Sequence, residues 1–159
     1  MNKPTENFLF LAQEDFEICE YLNKDISKKF ASGICFHAQQ CVEKSIKAML
    51  TAFNEEKEPL YTHDIQKLLS ELSDYILIPD VYQEYAEILT PYATETRYKR
   101  IEHVGENEST LAIYYAKQIK NWAFEKINEF EKQNIKTCKP KAKLITKKCD
   151  ISKDNTIMR

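Results

Sequence analysis

The chain has 159 residues, 43% of them hydrophobic, a net charge of −2 and only two glycines. No run approaches the roughly 18 to 20 apolar residues of a membrane span, and so few glycines leave the chain without the positive-φ positions that tight hairpins need. Composition therefore excludes a helical membrane span and a hairpin-rich β fold, and it predicts one soluble, cytoplasmic helical domain.

The N-terminal stretch Met1 to Asn7 has no signal-peptide pattern. Of the five cysteines, Cys19, Cys35, Cys41, Cys138 and Cys149, no two form a Cys-x-x-Cys pair. The expectation is reduced thiols, with the first three serving as small hydrophobes on helical stripes. Three scattered histidines do not offer the spacing of a structural zinc site, and no metal or cofactor is expected.

The first helix is predicted from about Thr5 to about Leu22, capped by Thr5 or Asn7. Phe8, Leu11, Ala12, Ile18, Cys19 and Leu22 share its apolar face, and Asp15 falls in the middle of that face. A carboxylate there has to find a partner, because isolated burial is costly. The second helix is predicted from Ser27–Ser32 to about Asn54. At 100° per residue, Ala38, Cys41, Ser45, Ala48 and Ala52 form a stripe of small residues. Cys35, Val42, Ile46, Met49 and Phe53 form an adjoining stripe of larger ones. Gln39, Gln40, Glu43, Lys44 and Lys47 fill the remaining polar arc, where a Glu43–Lys47 pair has the favourable i,i+4 order. So wide an apolar sector marks the central member of a bundle.

Residues 55 to 61 read as a polar loop. Thr62 is expected to cap a short third helix with Ile65, Leu68, Leu69 and Leu72 inward, and His63 reads as a local hydrogen-bonding residue. Pro79 suits the first position of a fourth helix, with Val81, Tyr85, Ile88 and Leu89 inward and Pro91 ending it. A polar stretch with Arg97, Lys99 and Arg100 follows. Asn107 or Ser109 caps a last long helix whose stripe is Ala112, Ala116, Ile119, Ala123, Ile127 and Phe130. The apolar period fails after about Gln133. The organisation predicted is all-α: an up-and-down bundle of about five helices over residues 1–135, followed by a basic, mobile tail over 136–159. That tail carries a net charge of +6 against −8 for the remainder.

Four pieces in order carry a resemblance: Leu11-Ala12-x-x-Asp15-Phe16, then Ala38-Gln39-Gln40-x-x-Glu43-Lys44-x-x-Lys47-Ala48, then His63-x-Ile65-x-x-Leu68-Leu69, then Thr96-Arg97-Tyr98. With them the chain resembles the HEPN family over about residues 8 to 130. The resemblance implies a helical bundle that forms homodimers and a cleft near the Arg-Tyr segment that binds nucleotide or RNA. It also implies a separately encoded nucleotidyltransferase as partner, or a metal-independent ribonuclease of toxin–antitoxin type carrying Arg-x(4–6)-His.

Arg97 and His103 fit that last spacing, with five residues between them. A neutral imidazole can take a proton from a ribose 2′-hydroxyl near neutral pH, while a guanidinium holds the phosphate in a bidentate grip. The chain departs from the family pattern in two places: Tyr98 stands where the ribonuclease branch usually carries a polar residue, commonly Asn, Asp or His, and Val104-Gly105 follows His103 where toxins of the family can carry a tyrosine that their partner modifies. Candidate catalytic residues are thus Arg97 and His103. Candidate binding residues are Arg97, Tyr98, Arg100, Asp15, Glu43 and Lys44, with Asp15 read either as a structural ion-pair partner or as a residue that orients Arg97. Three functions remain open on the sequence: a binding module, a ribonuclease, and a bundle serving assembly alone.

Overall fold

The computed structural model describes residues 1–24, 29–94 and 104–137, with side chains described through residue 134. Among these, five α-helices and one short turn of 3₁₀ helix account for the regular structure. They are α1 (Lys3–Leu22), α2 (Ala31–Phe53), α3 (Ile65–Leu72), α4 (Asp80–Leu89), the 3₁₀ turn (Thr90–Ala93) and α5 (Glu106–Thr137). No helix among the described residues is long and apolar enough to cross a membrane.

The predicted caps are each displaced by a residue or more. Asn2, not Thr5 or Asn7, caps α1, its side chain accepting from the Thr5 N–H at 2.8 Å. Thr5 is instead buried, and its hydroxyl meets that of Thr51 at 3.0 Å. Asp64 caps α3 by accepting from the Lys67 N–H, while Thr62 accepts from the Asp64 N–H one step earlier. Pro79 is the residue before α4 rather than its first member. At the start of α5, Glu108 reaches back to accept from the Gly105 N–H at 2.9 Å, half of a capping box, and the Ser109 hydroxyl turns to its own helix at Glu106 O.

α2 is the axis of the bundle, packed against α1, α3, α5 and the 3₁₀ turn. Its small stripe of Ala38, Cys41, Ser45 and Ala48 is wholly buried, as are Ala112, Ala116 and Ala123 of α5. Small side chains at these contacts let neighbouring backbones approach closely. α1 runs antiparallel to α2, fixed by Thr5–Thr51 near one end and by the Cys19 thiol donating to Ile34 O near the other. α5 runs in the same direction as α2: Phe53 meets Phe130 at one end, and Glu108 bears on Cys35 at the other. α4 lies antiparallel to α5, with Tyr82 on Trp122 and Tyr85 stacked on Tyr115 at 4.1 Å between ring centres.

Between α2 and α3 the chain doubles back along α2. The Thr62 and His63 carbonyls accept from Lys47 and Gln39, and Tyr75, just past α3, lies against Phe53. This return segment places a wall of backbone over what the sequence presents as the solvated side of α2.

Two inward assignments change. On α1, Phe16 is buried and Ile18 exposed; on α4, Ala86 and Leu89 point inward while Val81 and Ile88 face solvent. α5 continues as helix to Thr137, past the point where its apolar period ends.

Candidate functional site

Two surface pockets lie along α2, with no lining residue in common. The first, of about 630 Å³, is lined by Lys47 and Thr51 of α2, Phe8 of α1, and Leu60 and Tyr61 of the return segment. The second, of about 410 Å³, lies along α1 at Leu11 and Asp15, with Lys44 of α2.

The polar arc of α2 is not a solvated face. Gln39, Gln40 and Glu43 are buried, Glu43 to 4% exposure. Burial of so many polar groups is tolerable only when each is hydrogen-bonded, and here they are. Glu43 Oε1 accepts from Lys47 Nζ at 2.9 Å. Its Oε2 accepts from Gln39 Nε2 at 3.0 Å and Gln40 Nε2 at 3.3 Å. His63 Nδ1 lies 3.0 Å from the same oxygen. Gln40 also donates to Gln39 Oε1, and Lys47 reaches Thr62 O at 3.2 Å.

Burial alone pushes the Glu43 carboxyl up, but the hydrogen bonds from Lys47 and Gln39, the Lys47 charge and the His63 contact outweigh it and hold the carboxyl below its ordinary value. An ionised carboxylate only accepts, so His63 Nδ1 carries the shared proton, and in the neutral ring Nε2 is left as the acceptor.

A second cluster, at the second pocket, repeats this pattern. Asp15 Oδ1 lies 2.8 Å from His37 Nδ1, and Asp15 Oδ2 accepts from Lys44. His37 and Lys44 are seven residues apart, two helical turns, and so stand above one another on α2. Each cluster has one carboxylate, one imidazole held through Nδ1 and one lysine. In each the carboxylate is the buried member, while the imidazole and the lysine are the more accessible ones. An ammonium has three N–H donors, of which Lys47 gives two, to Glu43 and to Thr62 O.

Of the predicted site residues, Asp15 and Lys44 line one pocket together, while Glu43 is buried beside Lys47 and lines neither pocket. Arg97, Tyr98, Arg100 and His103 lie outside the described residues. The chain leading to them starts beside the Glu43 cluster: the Thr90 hydroxyl accepts from the Ile65 N–H at 3.2 Å, two residues after His63. Tyr92 then shares a hydrogen bond with the Cys35 thiol, and burial foremost raises both groups to about 12. Among the described residues no group of three or more His, Cys, Asp or Glu side chains is arranged to hold a metal ion.

Sequence reasoning missed His37 and His63 as partners of the two carboxylates. The seven-residue spacing of His37 and Lys44 was a usable signal for the first. No local signal existed for the second, because His63 reaches Glu43 only through the return of the chain.

Comparison with known proteins gives three findings. The family model described as HEPN domain matches residues 6–132. TT1696 from Thermus thermophilus is similar in structure, with a TM-score of 0.68 at 24% identity over 79% of this chain and 99% of that one. ST0689, described as an archaeal HEPN homologue, has a TM-score of 0.61 at 26% identity over 80% of this chain and 99% of its own. No curated protein matches the chain in sequence.

Proposed function

The chain belongs to the HEPN domain family, and from that premise we propose that it is a homodimeric nucleotide- or RNA-binding module that works with a separately encoded nucleotidyltransferase. The observation that carries this reading is the pair of lysines Lys44 and Lys47, each lining a surface pocket, each held by a buried carboxylate and each accompanied by an imidazole. An ammonium held in this way is positioned before a ligand arrives, and a phosphate oxygen accepts a charge-assisted hydrogen bond from it. Asp15 and Glu43 then act as positioning groups. Arg97, Tyr98 and Arg100 add two guanidinium donors and a ring able to stack on a base.

Self-association is supported by Val81 and Ile88 of α4 and Leu111 and Tyr114 of α5, exposed apolar side chains on two helices joined by the Tyr85–Tyr114 contact. The sequence holds no Gly-Ser followed by paired aspartates and no Gly-rich phosphate loop, so nucleotidyl transfer belongs to the partner. The test is calorimetric titration of the full chain with a nucleoside triphosphate and with a short single-stranded RNA, alongside copurification from its native host. Absence of heat with either ligand, and of any nucleotidyltransferase in the copurified material, defeats the reading.

The second reading is a metal-independent ribonuclease in which Arg97 stabilises the phosphate and His103 moves the proton. The five-residue spacing of that pair favours it. It requires RNA cleavage in EDTA with cyclic phosphate ends, lost in both Arg97→Ala and His103→Ala; undiminished cleavage by the His103→Ala chain removes it.

A further inference from the structure

At the end of the bundle where α2 and α5 finish, a groove of about 610 Å³ opens between α5 and the loop joining α3 to α4. Phe53, Tyr75, Leu77, Pro79, Trp122 and Phe130 line it, and Leu77 is 92% exposed. The loop sequence Tyr75-Ile76-Leu77-Ile78-Pro79 is apolar throughout. Ile78 is buried and Ile76 packs against the core, which leaves Leu77 as the apolar side chain of the loop held in water beside an apolar groove, the mark of a surface that something covers.

Three features of the chain itself identify the occupant. The groove ends at Gln133, which lines it, and α5 finishes at Thr137, one turn further on. The chain then continues for another 22 residues with Lys139, Lys141, Lys143, Lys147, Lys148, Lys153 and Arg159 against Asp150 and Asp154. The rim has the opposite sign. Asp74 and Asp80 bracket the loop, while Lys126 and Glu129 on α5 pair with each other at 2.7 Å and add no net charge. Within the basic segment, Leu144-Ile145 is an apolar pair flanked by Lys143 and Lys147. Leu144 is seven positions beyond Thr137, and extended chain covers up to about 25 Å in that length, enough to return to the groove beside Gln133.

We propose that the basic C-terminal segment docks onto its own bundle, with Leu144 and Ile145 in the groove under Leu77 and the flanking lysines on the acidic rim. The segment is then a tethered ligand, bound by apolar burial and held in register by charge. A short tether gives it an effective concentration near millimolar, so even a weak contact is well populated.

Trp122, the only tryptophan of the chain, reports on the groove. The experiment uses the full chain with Cys138→Ser and a nitroxide on Cys149, four residues after Ile145. The buried thiols at Cys19, Cys35 and Cys41 are shielded from the label. Docking quenches Trp122 fluorescence, and reducing the nitroxide restores it. Leu144→Asp with Ile145→Asp removes the quench, and so does Leu77→Asp, a change at an exposed position that leaves the bundle's circular dichroism unchanged. Absence of a quench overturns the proposal, as does a quench that survives both sets of substitutions. A quench that disappears on dilution with excess unlabelled chain assigns the groove to the tail of a second copy, and overturns docking within one chain.

Discussion

His63 and Glu43 stand twenty residues apart in sequence, yet His63 Nδ1 and Glu43 Oε2 are separated by 3.0 Å, and Glu43 is almost wholly buried. The contact closes the return segment onto α2. It makes Glu43 the point where α2, the loop and the start of α3 are tied together.

Replacing Glu43 by Ala strands Lys47, Gln39 and Gln40 together. Breaking a buried ion pair from one side is expensive, and with Lys47 and His63 partly accessible the expected loss is about 2–3 kcal/mol. Urea unfolding reads it as a lower midpoint at unchanged slope.

The Glu43 carboxyl also sets a pH dependence. Its folded value lies below the ordinary one, so its contribution is complete above the unfolded carboxylate value of about 4.3 and is lost as pH falls through the lower folded value. Urea midpoints measured from neutral pH into acid fall over that window. In the Glu43→Gln chain this part of the acid loss is absent.

Under the proposed RNA-binding function, Lys44→Ala is expected to weaken binding of single-stranded RNA about tenfold, close to 1.4 kcal/mol. If its ammonium meets a phosphate, the slope of log affinity against log salt also decreases by about 0.7. A reduced affinity at unchanged slope marks Lys44 as a support for Asp15 and His37 rather than a phosphate contact.

Ala48 is fully buried on the small-residue stripe of α2. Ala48→Leu forces neighbouring helices apart and costs about 1–3 kcal/mol. Ala48→Ser adds one atom whose hydroxyl can bond back to its own helix, and it costs less in the same denaturation series.

Burial foremost raises the thiols of Cys35 and Cys41 to about 12 and pushes Cys19 up as well. With so little thiolate and no access, these three react with a thiol reagent only as the bundle opens. Their rate in increasing urea follows global unfolding; fast reaction of any of them in the native protein contradicts its placement.

Much of the scaffold was legible in the sequence. Ala38, Cys41, Ser45, Ala48 and Ala52 were identifiable as a packing stripe because helical period alone puts them together; the first four are buried and Ala52, near the end of α2, is half-buried. Ile65, Leu68, Leu69 and Leu72 were equally plain. Caps were less legible, since Thr5, Asn2, Thr62 and Asp64 are all competent capping residues, and the choice among them depends on which backbone N–H groups are already paired. Val81 and Ile88 were misassigned because α4 carries apolar residues on two sides, and periodicity does not say which of them meets the bundle.

By itself, the sequence determined the helical class, the approximate helix limits, the central place of α2 and the resemblance that the family match bears out. Those properties depend on local propensity and on the 3.6-residue period, both written in neighbouring residues. Only the tertiary structure decided that Gln39, Gln40 and Glu43 are buried, that Asp15 meets His37 and Lys44, and that His63 closes on Glu43. A polar arc on an isolated helix faces water. It becomes a buried, fully hydrogen-bonded floor only when α1 and a returning segment supply partners from far along the chain, and that supply is a property of the assembled bundle.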